Sequence, residues 1–500
     1  MAAPALRARR VLGPAVLACA LAGCTVGPDF HRPPPPAAAG YSAAPLPGRT
    51  ASAPVAAGVA QRFVSGRDIP AQWWQLYHSA ALDQLIRAAL ADSPSLDAAQ
   101  AALRISQENL RAATAVLYPK VDAQLGASRQ QISGASQNQP QARIPVFDLY
   151  NASVSVSYAL DLAGGARREL ESLEAQIDYQ RYQIAATYLT LTSNIVTTAV
   201  SEASLREQIG ATRDMLDSEQ SSLAVVEKQL EFGAVSSAEV LAQRAQLAQT
   251  RATLPPLEKA LAQTRNALAT LVGKTPGAAG LPQFDLAALE LPRELPVSLP
   301  SALLRQRPDI QAAEALLHQA SAQIGVATAA EYPQLTLSAN YGSVATATGS
   351  LFGANSMIWN VGGGLLQPIF HGGALKAQER AAVAAYDQAL ARYRQTVLGA
   401  FQNVADVLRA LDSDAQALEA QADAEAAARA SLELAREQLG LGAVSNLVLL
   451  NAERQYQQAR LGLVQAQAAR YADTAALFQA LGGGWWHAGP RAAGTAGKPD

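Results

Sequence analysis

Apolar and polar residues follow two different periods along this chain, and the two take turns. Val121, Ala123, Leu125 and Ala127 alternate with Asp122, Gln124, Gly126 and Ser128. Tyr150, Ala152, Val154, Val156, Tyr158 and Leu160 alternate with Asn151, Ser153, Ser155 and Ser157. A period of two predicts strands with one apolar face. The pattern returns at Leu335, Leu337, Ala339 and Tyr341, and again at Trp359, Val361 and Leu365. Each strand pair is followed by a long Ala/Gln-rich stretch without proline, which predicts helices over 166–232 and 374–441. At 1.5 Å per residue each would span roughly 100 Å. Shorter helices are expected to return over 237–272 and 446–481. In the first of these, Val240, Leu247, Leu254, Leu261 and Leu268 fall seven apart, the spacing of a supercoiled seam. Pro255-Pro256 is expected to bend or break that helix.

The alternation of periods reflects a tandem duplication. Pro94-Ser95-Leu96-Asp97-Ala98-Ala99 parallels Pro308-Asp309-Ile310-Gln311-Ala312-Ala313. Tyr118-Pro119 parallels Tyr332-Pro333, and Gly233-Ala234-Val235-Ser236 equals Gly442-Ala443-Val444-Ser445. Each copy opens with a helix, 80–117 or 301–331, ended by Tyr-Pro because proline disfavours helical geometry before it. Two strands, a long helix and a returning helix follow. One returning helix and the next opening helix together equal one long helix in length. Two short helices can therefore stack beside a long one, with the Pro/Gly-rich stretch 274–300 as a belt at the joint.

Composition narrows the class. Charged residues make up 16% of the chain, below the roughly 25% of soluble domains. Mean hydropathy is only +0.03, and no apolar run of about 18 residues follows the leader, which excludes a polytopic helical membrane protein. A net charge of -2 argues against nucleic-acid binding. The N-terminus carries Arg7, Arg9 and Arg10 and then an apolar stretch, the form of a secretory leader over 1–23. It ends Leu21-Ala22-Gly23-Cys24, which resembles a lipoprotein processing site, so Cys24 is expected to carry covalent lipid. The segment 24–75 contains His31-Arg32-Pro33-Pro34-Pro35-Pro36 and is expected to be a semi-rigid spacer. The remaining boundaries are a first repeat over 76–273, the belt 274–300, a second repeat over 301–486 and a disordered tail over 487–500.

Apolar-out, polar-in strands fit a water-filled transmembrane β-barrel. Four strands cannot close one, and open edges in lipid leave backbone groups unsatisfied. Three copies give twelve strands and, from the helices, twelve columns. The expected fold is therefore an α+β membrane protein, a homotrimeric tunnel with a 12-stranded barrel continuing into a long α-helical barrel.

With these residues in hand, the chain resembles the TolC-like outer membrane efflux proteins. The likeness is to their lipid-anchored (NodT-type) branch, which serves resistance-nodulation-division systems. The resemblance is carried by 21–30 around Cys24, by Trp73-Trp74 and by Arg307-Pro308-Asp309-Ile310. The repeated Gly-Ala-Val-Ser and Ala480-Leu481-Gly482-Gly483-Gly484-Trp485 complete it. It implies a passive exit duct for drugs or other small toxic compounds. It also implies a periplasmic adaptor (membrane fusion protein), a proton-driven inner-membrane pump and an outer-membrane location. The alternatives are the duct of a type I protein secretion system and, in a different class, a periplasmic coiled-coil adaptor or scaffold.

The resemblance also implies the sites. Adaptor-contact tips fall at Phe232, Gly233, Ala234, Val235 and Ser236, and at Leu441, Gly442, Ala443, Val444 and Ser445. A periplasmic gate falls at Leu447, as an apolar constriction, and at Asn451, where relatives commonly carry aspartate. Tyr150, Val154, Tyr158, Leu335, Leu337, Trp359 and Val361 are expected to face lipid. No catalytic constellation, cofactor or metal set is expected beyond the lipid on Cys24. Gly273-Lys274-Thr275 lacks the first glycine of a phosphate loop. His31, His78, His318, His371 and His487 lack ligand spacing. Asp412 and Asp414 are expected on a solvated helix surface.

Overall fold

The computed structural model describes residues 25–36, 40–42, 47–133, 145–278 and 280–487. The expected leader, Cys24 and the tail beyond residue 487 lie outside the described residues. The elements in chain order are β1 (Arg62–Ser65), α1 (Ala80–Asp92), α2 (Pro94–Thr114), β2 (Lys120–Gln130) and β3 (Phe147–Leu160). Then come α3 (Gly165–Glu231), α4 (Ser237–Leu271), β4 (Glu294–Val297), α5 (Pro300–Gln306) and α6 (Pro308–Ala329). The last are β5 (Gln334–Ala345), β6 (Met357–Leu366), α7 (Ala374–Gly440) and α8 (Asn446–Ala480). The order helix, helix, strand, strand, long helix, returning helix thus occurs twice. The long helices α3 and α7 have 67 residues each, and the returning helices α4 and α8 have 35 each.

Three expectations are corrected. Each opening helix is two helices, broken at Ser93 and at Arg307. Both residues precede a proline and are extended, with ψ of 115° and 121°. The proline then takes the first position of the next helix, where its missing N–H costs nothing. Conversely, Pro255 and Pro256 do not break α4, which runs through them. The carbonyls they leave without donors belong to Arg251 and Ala252, which are exposed and open to water. Finally, the belt 274–300 holds a strand. β4 pairs in parallel with β1, Arg62 opposite Glu294 and Ser65 opposite Val297.

The contacts divide the chain into two units. The first comprises residues up to Pro33, Arg104–Tyr179 and Ala313–Tyr393. Its sheet has the order β2-β3-β5-β6, antiparallel throughout. The N-terminal segment is not a free spacer here. Val26 N–H donates to Ala163 O (3.0 Å). Arg168 of α3, itself buried, donates to Val26 O (3.1 Å), Gly27 O (3.3 Å) and Asp29 Oδ1 (2.8 Å). Phe30 stacks on His318 at 4.5 Å, and Arg32 pairs with Glu314 at 2.7 Å. Gly27 and Gly325 pack so closely that a Cβ on Gly27 would lie 2.4 Å from Gly325 Cα.

The second unit comprises Pro34–Leu103, Gln180–Ala312 and residues from Arg394 onward. Trp73, Trp74 and Tyr77 are fully buried there. Trp73 stacks on Phe478 at 5.2 Å, and Tyr77 Oη donates to Tyr471 O (2.8 Å). Arg307 Nη1 donates to Ala480 O (3.1 Å), and Trp485 Nε1 to Gln306 O (2.7 Å). The motifs at 73–74, 307–310 and 480–485 therefore meet in one core. Their chemistry is packing and helix-end satisfaction.

Candidate functional site

The sheet sorts its residues by face. Directly opposed residues of antiparallel strands share a face. The register makes one row of Val121, Val156, Ala339 and Val361, and another of Ala123, Val154, Tyr341 and Trp359. Tyr158 opposes Leu337, Leu160 opposes Leu335, and Tyr150 opposes Ala345. All seven residues expected to face lipid therefore lie on one surface, and Val361 is 76% exposed. The opposite surface carries the row Asp122, Ser155, Asn340 and Asn360. Among the described residues β2 and β6 each pair with one strand, so each keeps an edge unpaired there.

The two Gly-Ala-Val-Ser turns are built alike. Gly233 and Gly442 both have φ of 71°, which glycine adopts without strain. Gly233 N–H donates to Leu230 O (2.9 Å) and Ala234 N–H to Gln229 O (2.8 Å). Gly442 N–H donates to Leu439 O and Ala443 N–H to Gln438 O, both at 2.9 Å. These bonds satisfy the last carbonyls of α3 and α7. Ser236 then opens α4 with a reciprocal cap: its Oγ accepts from Glu239 N–H, and Glu239 Oε2 accepts from Ser236 N–H. Ser445 opens α8 without a side-chain cap, and Val448 at the third position has no side-chain acceptor to return a bond. Phe232 is 85% and Leu441 77% exposed, while Val235 and Val444 are half-buried. Each turn thus offers one large apolar side chain to its surroundings.

Leu447 lies in the first turn of α8 and is 59% exposed, so it does not pack between helices of its own chain. Asn451, one helical turn on, shares its face and is also exposed. Its Oδ1 accepts from Arg454 Nη2. Leu449, on the other side of α8, is buried with Ala452, Leu432 and Ala435.

Two acidic pairs escaped the sequence reading. Asp412 is buried and accepts from Gln416 Nε2 (3.2 Å), and Asp414 is half-buried, its Oδ2 without a hydrogen-bond partner among the described residues. Asp412 is therefore not on the solvated surface expected of it, and Asp414 is only partly so. Asp414 meets Asp473 of α8, whose carboxyl is pushed up to about 7 by burial and by the neighbouring Asp414. Glu219 of α3 and Glu453 of α8 are both 0% exposed. Burial raises each, and the charge of Glu219 raises Glu453 further. The available signal was a carboxylate in an apolar stripe: Glu453 continues Asn446, Leu449 and Leu450 at helical spacing, and Glu219 continues Thr212, Met215 and Leu216.

Other chemistry recedes. Gly273-Lys274-Thr275 is a helix end, with Gly273 N–H on Thr270 O and Lys274 N–H on Ala269 O, whereas a phosphate loop begins a helix. His318 pairs with Glu171 (2.9 Å) and His487 with Asp68 (2.6 Å). Among the described residues no group of three or more His, Cys, Asp or Glu could hold a metal ion. No helix among them is long and apolar enough to cross a membrane.

The sequence pattern of outer membrane efflux proteins matches residues 85–274 and 299–483. The pyoverdine export outer membrane protein OpmQ of Pseudomonas aeruginosa is 35% identical over 83% of this chain and 87% of its own. The probable outer membrane lipoprotein SilC of Salmonella typhimurium is 30% identical over 93% of this chain and 96% of its own. The solved structure of the outer-membrane channel OprN superposes with a TM-score of 0.82 at 28% identity, covering 92% of this chain and all of that one. Two matched halves, this fold and these relatives place the chain in the outer membrane efflux protein family.

Proposed function

We propose that this protein is the outer-membrane exit duct of a tripartite efflux system. In this reading three copies join, with β6 of each pairing to β2 of the next. The observation that carries it is the four-stranded sheet, apolar on one face and polar on the other, whose edge strands have a free side among the described residues. Closure would satisfy both edges and give twelve strands around a wet lumen. Twelve columns of helix would continue the tunnel. Acyl chains on Cys24 would anchor each copy; one relative is named a probable outer membrane lipoprotein.

Within this duct the turns at 232–236 and 441–445 would meet the periplasmic adaptor through Phe232 and Leu441. Leu447 and Asn451 would form an apolar and a polar ring at the gate. A neutral Asn451 ring would attract divalent cations less than a ring of aspartates, since it carries no formal charge. Selection and energy would reside in a proton-driven pump of the resistance-nodulation-division class. The cargo would then be small compounds such as drugs.

A deletion strain tests the reading. Sensitisation to small toxic compounds, restored by the wild-type gene, is the expected outcome. Loss of a secreted protein without sensitisation would favour the type I secretion duct. A soluble monomer on fractionation would favour the periplasmic scaffold.

A further inference from the structure

Glu219 and Glu453 form a buried acidic pair at the junction of all four helices near the turns. Glu219 Oε1 accepts from two groups of α4, Thr250 Oγ1 at 2.9 Å and Gln246 Nε2 at 3.2 Å. Glu453 Oε1 accepts from Ser222 Oγ of α3 at 3.4 Å, and Ser222 stands one turn beyond Glu219. The second oxygens, Glu219 Oε2 and Glu453 Oε2, are buried and have no partner among the described residues. Gln243 of α4 stands beside Glu453 and, with Ser222, partly offsets the rise, which burial and the charge of Glu219 dominate. From α7 the charged group is Arg436, which donates to Ser218 Oγ (2.6 Å) and partly offsets the charge of Glu453.

Two ionised carboxylates in such a site would each carry an uncompensated buried oxygen and repel one another. Protonating one carboxyl removes its charge, and with it the repulsion and most of the cost of burial. We propose that this pair binds a proton in the packed arrangement, and that releasing it loosens α8 from α3 and α4, so that rising pH favours opening. This rests on the reading of Leu447 and Asn451, on the same helix as Glu453, as the gate.

The sign follows from linkage. Below the ordinary glutamate range both arrangements are protonated and the pair imposes no penalty. As pH rises through that range, solvated carboxyls in the opened arrangement ionise first. The packed arrangement loses ground until its own raised carboxyls ionise. Each proton released on opening changes the open-to-packed ratio by at most about tenfold per pH unit.

The test combines infrared difference spectra with single-channel recording on the reconstituted full-length protein, from about pH 4 to about pH 9. The expected spectrum contains a carboxylic C=O band that persists above the ordinary glutamate range and is lost in Glu453→Gln. Open probability should rise with pH as that band fades. Glu453→Gln, a neutral mimic of the protonated acid, should leave only the shallower dependence of Glu219, and Glu453→Asp should restore the full one. Asp473 adds a raised band of its own, so a raised wild-type band that is unchanged in Glu453→Gln and lost in Asp473→Asn overturns the proposal, as does a wild-type band that titrates wholly in the ordinary range. A raised band with pH-independent opening overturns the coupling. A raised band in a protein that conducts no current places the failure in the duct reading instead.

Discussion

Val361 and Asn360 are neighbours in β6 with opposite fates, and replacing each by arginine separates the two faces of the sheet. Val361 is the fifth of the ten residues of β6, so it lies near mid-strand. Its row, Val121, Val156 and Ala339, is apolar across all four strands. If that surface meets hydrocarbon, an arginine at mid-depth costs about 2–4 kcal/mol per chain. That is a ~30- to ~1,000-fold loss in the folding equilibrium. Asn360 shares the row Asp122, Ser155 and Asn340, where an arginine would reach water and cost about 0.5 kcal/mol or less. Urea titration of protein folded into lipid vesicles reads both variants. Equal losses, or a larger loss for Asn360→Arg, would refute the assignment of faces.

Asp473→Asn should stabilise the protein at alkaline pH and leave it unchanged in strong acid. Its carboxyl is raised to about 7, so the penalty is absent below the ordinary aspartate range, grows as pH rises towards 7 and is constant above. The shift sets a ceiling of about 4 kcal/mol, and partial exposure reduces the expected gain to about 1–2 kcal/mol. Thermal melts at two pH values check it. Arg168→Ala removes four hydrogen bonds, three of them to residues 26–29. A loss of about 1–3 kcal/mol in local docking is expected. Limited proteolysis should then cut within 25–36 while the helices survive; an unchanged digest would show that Phe30 and Arg32 suffice. Leu447→Ala should raise single-channel current and leave the fold of each copy intact, since the side chain supports no packing within its own chain; unchanged current would remove it from the gate.

The periodic elements were legible because each carries its signal locally. Alternation marked all four strands of the larger sheet, and uninterrupted Ala/Gln-rich stretches set helices of 67 residues. The prolines were harder. Pro94 and Pro308 break a helix and Pro255 and Pro256 do not, and exposure of the orphaned carbonyls is a property of the folded chain. The strand pair of β1 with β4 joins segments more than two hundred residues apart, so no local pattern announces it. The docking of Val26 to Arg32 was hidden for the same reason: its partners, Arg168, His318 and Glu314, come from α3 and α6. Among site residues, the turns at Gly233 and Gly442 were visible as a repeated motif. Glu219 and Glu453 were visible only as acids in apolar stripes, and their pairing required the packing of α3 against α8.

The central claim is that three copies close the sheet edges left open in one. Native mass spectrometry of the detergent-extracted complex, with bilayer conductance on the same sample, tests it most directly. The account predicts three times the processed chain mass together with a conducting pore. A monomer or dimer that conducts, or a trimer that does not, would contradict it.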